Sequence, residues 1–320
     1  SKQPSPTTKP KSRTTSKKWD LRCRGMTMAN EKISIRFFNE REVRAVWDEI
    51  NSKWWFSVLD IVGVLNGQDD YEKNRNYWKY LKAKLKKEGH QLGSITTQFK
   101  LSAPDGKKRL SNVLDYEQVI ELAKNFPNNK SATFIQWFTY SDETIDGKSK
   151  TKAYALFESS LLDSIEVGTI SGLKQIHAYL FGGLYDFAGK IRTVNISKNG
   201  FKFAAAEFLP QTLEHIQNMG ENTFEQIADK YVEMNVAHPF REGNGRATRI
   251  WLDLMLKKNL KKCVDWSKIN KKAYLETMTQ SVTDSSPIKQ LLKNALTDKI
   301  NDREMFMKGI DYSYYYEEAE

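Results

Sequence analysis

Alternation of apolar and polar residues predicts a strand-rich region near the start of the chain. The segment "ISIRFFNEREVRAVWDEINSKWWFSV" contains two β-rich runs joined by a polar turn at 51–52. An apolar helix is expected over 59–65, and "KLSAPDGKKRL" predicts a hairpin with its turn at 105–106. Residues 32–140 are therefore expected to form a small α+β domain.

Apolar residues three and four positions apart predict helices in both parts of the chain. Within the first part, Tyr77, Leu81 and Leu85 share one face of a helix that ends at Gly89. Residues 141–152 are polar without apolar periodicity, so they are predicted to be a linker.

Residues 153–320 carry mostly helical patterns and are expected to form a mainly α domain. Two apolar faces support this expectation: Leu173, Ile176 and Leu180, then Phe224, Ile227, Tyr231 and Met234. The one exception is a β-hairpin predicted at Asn199-Gly200.

The net charge of +10 comes mainly from the start of the chain. Residues 1–30 hold eight Lys or Arg and one acid, which leaves +3 for the rest. Because residues 1–31 have almost nothing to bury, they are predicted to be a disordered basic tail, with Met26 or Met28 as an alternative start of translation. The charge of this tail is therefore weak evidence about what the folded parts of the chain bind.

Several classes of protein are disfavoured by the remaining composition. Cys23 and Cys263 form no disulfide framework, as expected in a reducing cytoplasm. No apolar run approaches the roughly 18 to 20 residues that cross a bilayer, so no membrane contact is expected. No histidine lies at a zinc-like spacing from other ligands; the four are His90, His177, His215 and His238.

The first domain resembles the Bro-N type domain of phage antirepressor-like proteins. The resemblance rests on "VRAVWDE", "NYWKYLKAKLKKEG" and "APDGKKRLSNVLDYE" and covers about 105 residues. It implies DNA binding through 32–140, with phosphate contacts from Arg75, Lys79, Lys82, Lys84, Lys86 and Lys87. The alternative is that these side chains are only the solvated face of an amphipathic helix.

The segment "HPFREGNGRATR", residues 238–249, predicts an anion site. Gly243 and Gly245 let the backbone approach a ligand, and the free N–H groups of the following helix favour a phosphate. Arg246 and Arg249 are neighbours on one helix face and can clamp successive phosphates. Glu242 at the mouth is a candidate Mg²⁺ ligand.

The same segment resembles the Fic family signature, His-x-Phe-x-Asp/Glu-Gly-Asn-Gly-Arg-x-x-Arg, with every specified position filled. Upstream, "GLKQIHAYLFGGLYDFAGKIR" and "NISKNGFKF" resemble the family's helices and its β-hairpin flap. The resemblance runs from about 150 to the C-terminus. It implies a helical Fic fold that transfers AMP from ATP to a Tyr, Thr or Ser hydroxyl of a target protein, with release of pyrophosphate.

Residue roles follow from the resemblance. His238 would be the general base and Glu242 the Mg²⁺ ligand, while Arg246 and Arg249 would bind the β- and γ-phosphates. Gly245 favours AMP transfer, since relatives that transfer phosphate carry Lys there. The full set expected at the nucleotide is Lys198, Asn235, Val236, Ala237, His238, Gly243, Asn244, Gly245, Arg246, Ala247, Thr248, Arg249 and Lys271.

The end of the chain, "SYYYEEAE", resembles the inhibitory motif Ser/Thr-x-x-x-Glu-Gly/Asn of compact Fic proteins. Ser313 and Glu317 are four apart and share a helix face. The resemblance implies that Glu317 pairs with Arg249 in place of the γ-phosphate. Glu318 departs from the motif, and Tyr314 is a candidate for self-modification. The alternative is that this segment is only a tyrosine-rich helix end or a frayed tail.

Two other functions remain open for the second domain. It could be a non-catalytic scaffold in a DNA-binding regulator, although the intact signature argues against this. It could also remove AMP by hydrolysis at the same site. The sequence does not name a target protein; the compact type points towards type II topoisomerases, and a homo-oligomer is a further possibility.

Overall fold

A computed structural model describes residues 33–95, 97–103, 106–126, 129–198 and 200–317. The predicted basic tail, Asn199 of the predicted hairpin and Glu318 lie outside the described residues. The described residues belong to one compact unit. None of its helices is long and apolar enough to cross a membrane.

The first element of the described residues is a five-stranded antiparallel sheet in which the strands, numbered along the chain, follow the order β1-β2-β3-β5-β4. The sequence predicts two β-rich runs before the first helix, whereas the structure has three strands. The first run is broken at 39–40, where Asn39 and Glu40 have φ of 47° and 62°. The strands are β1 Ile33–Phe38, β2 Arg41–Asp48, β3 Lys53–Ser57, β4 Gln98–Ser102 and β5 Lys108–Leu114.

Four helices cover one face of this sheet and share its core. They are α1 Val58–Asn66, α2 Tyr71–Lys87, α3 Tyr116–Lys124 and α4 Asn129–Tyr140. Leu81 and Leu85 of α2 are buried as predicted, and Tyr77 is half-buried against the same core. We call residues 33–140 the sheet half; its α+β content agrees with the sequence prediction.

The predicted linker is helical. Residues 141–152 form a 3-10 turn, Ser141–Glu143, and the first part of α5, Ile145–Glu158. Thr144 caps this helix by accepting a hydrogen bond from the backbone N–H of Gly147. The polar residues at its start hide its periodicity, because its buried apolar residues, such as Ala153 and Leu156, lie at its far end.

The remaining chain, which we call the helical half, is mainly α as predicted. Its helices are α6 Ile170–Phe181, α7 Leu209–Gln217, α8 Phe224–Ala237, α9 Asn244–Leu260, α10 Lys271–Gln280, α11 Ser286–Asn294 and α12 Arg303–Tyr315. Two short antiparallel strand pairs accompany them: the hairpin of β6 Ser197–Lys198 with β7 Phe201–Lys202, and β8 Cys263–Val264 with β9 Leu296–Thr297, which α10 and α11 separate in the sequence. The predicted apolar faces of α6 and α8 are buried against α9.

Candidate active site

The site is built on the loop between α8 and α9. His238 ends α8 with a left-handed backbone, φ 48°, and Gly243 begins α9 with φ 80°. A Cβ on Gly243 would lie 2.4 Å from the ring of Phe181, so both the backbone angle and the packing require glycine. The two left-handed residues thus mark the two ends of the loop that joins α8 to α9.

Asn244 holds this loop closed. Its side chain accepts a hydrogen bond from the backbone N–H of Phe240 and donates one to the Phe240 carbonyl, each at 2.8 Å. Phe240 itself is fully buried. The Asn244 amide is therefore committed to the fold, which leaves the backbone N–H groups of the first turn of α9 as the candidate anion-binding groups.

The His238 ring is oriented to accept a proton. Its Nδ1 lies 3.1 Å from the carbonyl of Asn235, so Nδ1 donates and the lone pair is on Nε2. The ring stacks on Phe203 with 3.7 Å between ring centres. Burial lowers the pKa of His238 to about 4, against the smaller effect of the Asn235 carbonyl, which raises it. The imidazole is thus neutral near pH 7.

Arg192 organises the loop that carries His238, a role that the sequence analysis missed. Its guanidinium donates to the carbonyls of His238 at 2.7 Å, Ala237 at 3.0 Å, Val194 at 2.7 Å and Ala204 at 2.6 Å. The side chain is buried. Since Val194 and Ala204 flank the β6–β7 hairpin, Arg192 fixes that hairpin to the loop between α8 and α9.

His177 performs a similar task for Glu242. Its Nε2 donates to the Glu242 carbonyl at 2.8 Å, and its Nδ1 accepts from the backbone N–H of Gly189 at 2.9 Å. Burial lowers the pKa of His177 to about 4, so it stays neutral. Its ring stacks on Phe240. This histidine supports the loop and has no zinc-like partners among the residues described.

Glu242 and Arg246 form an ion pair at the mouth of the site, 2.9 Å between Oε1 and Nη2. Glu242 is 54% exposed, whereas Arg246 is 3% exposed. Arg246 also pairs with Asp146 of α5. The segment predicted to be a linker therefore supplies a charge to the site.

Arg249 is held by the end of α12. Its Nε donates to the hydroxyl of Ser313 at 2.8 Å, and its Nη2 donates to the Ser313 carbonyl at 2.7 Å. The same Nη2 lies 2.6 Å from Oε1 of Glu317, while Nη1 donates to the Tyr274 hydroxyl at 3.2 Å. Glu317 is thus the only carboxylate among these four hydrogen-bond acceptors of the buried guanidinium.

The Glu317 carboxylate lies over the N-terminus of α9. A Cβ on Gly245 would be only 2.1 Å from its Oε1, and Lys198 Nζ is 3.3 Å from its Oε2. Burial raises the pKa of Glu317, but Arg249 and Lys198 outweigh that effect and lower it to about 2. An ionised carboxylate therefore fills the place that the sequence predicts for an anionic ligand.

Several other predicted residues have their side chains committed elsewhere. Ala247 and Thr248 are fully buried in α9, so only their backbones can face a nucleotide. Asn235 donates to the Tyr231 carbonyl at 3.1 Å. The carbonyl of Val236 accepts from Ala204 N at 3.2 Å.

Two more predicted residues belong with α12. Lys271 begins α10, and its Nζ lies 4.8 Å from the centre of the Tyr315 ring. Tyr314 is buried, and its hydroxyl is hydrogen-bonded to that of Ser149. Burial also raises the pKa of Tyr314. Self-modification at Tyr314 would therefore require α12 to leave its place.

The acidic residues at the mouth suit a substrate-associated cation. No group of three or more His, Cys, Asp or Glu is arranged to hold a metal within the described ranges. Mg²⁺ bound to a nucleotide needs only one or two protein carboxylates, since phosphates and waters complete its shell. The exposed Glu242 carboxylate fits that requirement.

Comparisons with known proteins match the part of the chain that contains this loop. Residues 168–256 match the Fic/DOC family. The chain is 33% identical to protein adenylyltransferase VbhT of Bartonella schoenbuchensis, over 46% of this chain and 35% of VbhT. It is 30% identical to the probable protein adenylyltransferase Fic of Salmonella typhimurium, over 32% of this chain and 59% of that protein.

Among solved structures, the BepC protein of Bartonella tribocorum with bound AMPPNP aligns with a TM-score of 0.42 at 20% identity. That alignment covers 48% of this chain and 85% of the BepC chain. The matches to VbhT and to the Salmonella protein span about a third and under two thirds of those relatives. Residues 168–256, which contain His238 and the whole loop, are thus similar to the Fic/DOC family, and the relatives that match this chain are named protein adenylyltransferases.

Proposed function

We propose that this protein transfers AMP from ATP to a hydroxyl group of a target protein. The observation that carries the proposal is the position of His238: a neutral imidazole stands beside the N-terminus of α9, with Arg246 and Arg249 on the same helix. The loop thereby combines a proton acceptor, His238, with a candidate anion site at the start of α9. The names of the relatives point to the same activity.

In the proposed reaction, the target hydroxyl oxygen attacks the α-phosphorus of ATP. The bond from that phosphorus to the bridging oxygen of the β-phosphate breaks, and pyrophosphate leaves. The hydroxyl proton passes to Nε2 of His238, the nitrogen that Asn235 leaves free. Acceptors are Tyr, Thr or Ser side chains.

Phosphate binding is assigned to the start of α9. The backbone N–H groups of Gly243, Asn244 and Gly245 would hold the α- and β-phosphates, with Arg246 on the β-phosphate and Arg249 on the γ-phosphate. Gly245 has no side chain to block an anionic group from the helix, since a Cβ there would lie only 2.1 Å from the Glu317 carboxylate oxygen. Glu242 would hold Mg²⁺. The cation would neutralise phosphate charge as pyrophosphate departs.

The β6–β7 hairpin is proposed to align the target by strand addition. Lys198 and Lys202 of this hairpin are exposed, so the hairpin is open to a partner chain. A type II topoisomerase remains the proposed kind of target.

The contact between Glu317 and Arg249 is proposed to restrain the enzyme. Glu317 occupies the Arg249 guanidinium that the γ-phosphate would need. ATP could then bind only with its γ-phosphate displaced, which misaligns the α-phosphorus. Release of α12 would restore the productive pose.

The proposal is tested with ATP labelled either on the α- or on the γ-phosphate, in the presence of Mg²⁺. Transfer of AMP puts only the α-label on protein. Transfer of the γ-label would instead indicate phosphate transfer, and loss of label from a previously modified target would favour AMP removal. Absence of any label on protein, also with an added bacterial lysate, contradicts the proposal.

DNA binding by the sheet half is a second proposed function, supported by the surface of α2. Arg75, Lys79 and Lys86 are exposed, as are Lys84 and Lys87. Lys82 is an exception, because its Nζ donates to the Ile95 carbonyl. A gel shift should compare the full chain with its Arg75→Glu/Lys79→Glu/Lys86→Glu variant, so that the basic tail is the same in both. Equal retardation would contradict binding through α2.

A further inference from the structure

Helix α12 has two occupied faces, and only one of them belongs to the site described above. Ser313 and, just beyond the helix, Glu317 hold Arg249. The opposite side of α12 packs on β1 of the sheet half through Asp311, Tyr312 and Tyr315. The element that covers the nucleotide site is therefore held between the two halves of the protein.

The contact begins at the backbone of an edge strand. β1 is the outermost strand of the sheet, so alternate N–H and C=O groups on its outer side have no strand partner. The N–H of Ile35 donates to the Asp311 carboxylate, and its carbonyl accepts from Lys150 Nζ at 3.2 Å. Lys150 and Asp311 are 2.7 Å apart, and the Asp311 side chain is fully buried. The Lys150–Asp311 ion pair therefore satisfies the backbone N–H and C=O groups of Ile35 that a neighbouring strand would otherwise bind.

Aromatic packing extends the contact along α12. The Phe37 ring stacks on Tyr315 with 3.8 Å between ring centres, and it meets the Tyr312 ring edge-on at 5.2 Å. The Tyr312 hydroxyl donates to the carboxylate of Glu42 on β2. Tyr312 and Tyr315 lie on the same helix within two residues of Ser313. A movement of these tyrosines away from β1 would therefore also move Ser313 relative to Arg249.

We propose that the sheet half is a regulatory clamp: through Ile35, Phe37 and Glu42 it holds α12 in the position where Glu317 pairs with Arg249. The clamp rests on the proposed function and extends it. α12 is in equilibrium between docked and released positions, and each contact with the sheet half favours the docked one. Any ligand or partner that pulls β1 from α12 then raises AMP transfer, which couples the two halves energetically.

Two adjacent phenylalanines provide a matched test in the full chain. Phe37 and Phe38 are 5% and 6% exposed, but Phe38 packs on Phe134 and Trp137 inside the sheet half. Phe37→Ala is expected to raise the initial rate of AMP transfer about two- to tenfold, the effect of losing an aromatic pair. Phe38→Ala is expected to leave it within twofold. Equal effects of the two substitutions would overturn the clamp.

Hydrogen exchange of the α12 amides, residues 303–315, reports on the clamp without any enzyme activity. Phe37→Ala should speed their exchange, whereas Phe38→Ala should not. Because Glu42 is exposed, Glu42→Ala provides a second variant with little risk to folding, and it should act in the same direction as Phe37→Ala. Unchanged exchange in both Phe37→Ala and Glu42→Ala would overturn the proposal.

A double variant separates failure of the clamp from failure of the proposed function. If the clamp acts through Glu317, Phe37→Ala should add nothing to Glu317→Gly, since the restraint is already gone. A further increase in the double variant would contradict the clamp. If Glu317→Gly itself transfers no AMP, the proposed function fails, while the exchange experiment still tests the clamp.

Discussion

Glu317 Oε1 lies 2.6 Å from Nη2 of Arg249, and the same oxygen lies directly above Gly245. One carboxylate thus neutralises the buried arginine and covers the start of α9. Both groups are those assigned to phosphates of ATP in the proposed function. In this structure the Glu317 side chain therefore occupies the position where the proposed substrate would bind.

Ser313 should contribute to this restraint through Arg249. Ser313→Ala removes the hydroxyl that accepts from Arg249 Nε at 2.8 Å, but it leaves the Ser313 carbonyl in place. Loss of one hydrogen bond to a charged group predicts a rise in AMP transfer of about ten- to a hundredfold. Initial rates of self-labelling measure it. A rate equal to or below that of the wild type would mean that Ser313 does not hold the helix.

His238→Ala should abolish most of the activity without unfolding the protein. Removal of one general base typically lowers a rate by about 10²- to 10⁴-fold. The comparison is best made in the Glu317→Gly background, where transfer is expected to be high. Thermal unfolding of both proteins controls for stability. Near-normal transfer by the substituted protein would exclude His238 as the base.

The pH dependence follows from the lowered pKa of His238. Its ordinary value is 6.5, and burial moves it to about 4. A base with a lowered pKa is neutral above that pKa and is lost as the pH falls through it. We therefore expect kcat/KM of the wild type to be flat from about pH 5.5 to 8 and to fall only near pH 4. A decline centred between about 6 and 7 would contradict the assignment.

Glu317 should not distort this profile. Its pKa is about 2 in the docked position against an ordinary 4.5, so the charge stabilises docking above pH 4.5. That stabilisation is lost only as the pH falls from 4.5 towards 2, so Glu317 leaves the part of the profile between about pH 5.5 and 8 flat.

Arg192 is expected to act as a positioning residue. Arg192→Lys keeps the charge, but one ammonium group cannot reach the four carbonyls that the guanidinium joins. Misplacement of His238 should lower kcat roughly ten- to a hundredfold. The KM for ATP should change little, because none of the four carbonyls belongs to α9. The control is Arg241→Ala, an exposed arginine on the same loop. A rise in KM with unchanged kcat would contradict a positioning role.

The loop from His238 to Arg249 could be predicted from the sequence because its residues are adjacent in the chain. Glycine, asparagine and arginine at fixed offsets before an apolar helix define both a backbone shape and a charge. Glu317 could be predicted only through resemblance to a motif. The packed faces of α6 and α8 followed from their apolar spacing.

The supporting residues could not be predicted, since each reaches the site from a distant element. Asp146 is 100 residues from Arg246 in the sequence, His177 is 65 residues from Glu242, and Arg192 is 46 from His238. No local pattern marks such contacts. The sequence predicts a linker at Asp146, because the start of α5 is polar and the buried residues of this helix lie further along it.

We propose that the protein transfers AMP and that α12 restrains this activity. The most direct measurement is the initial rate of self-labelling from α-labelled ATP with Mg²⁺, for the wild type and for Glu317→Gly at equal concentration. A charge-assisted contact of this kind predicts a rate about ten- to a hundredfold higher for Glu317→Gly. The γ-label should stay off the protein in both. Equal rates would show that α12 does not restrain the site, and absence of α-label from both proteins would contradict AMP transfer itself.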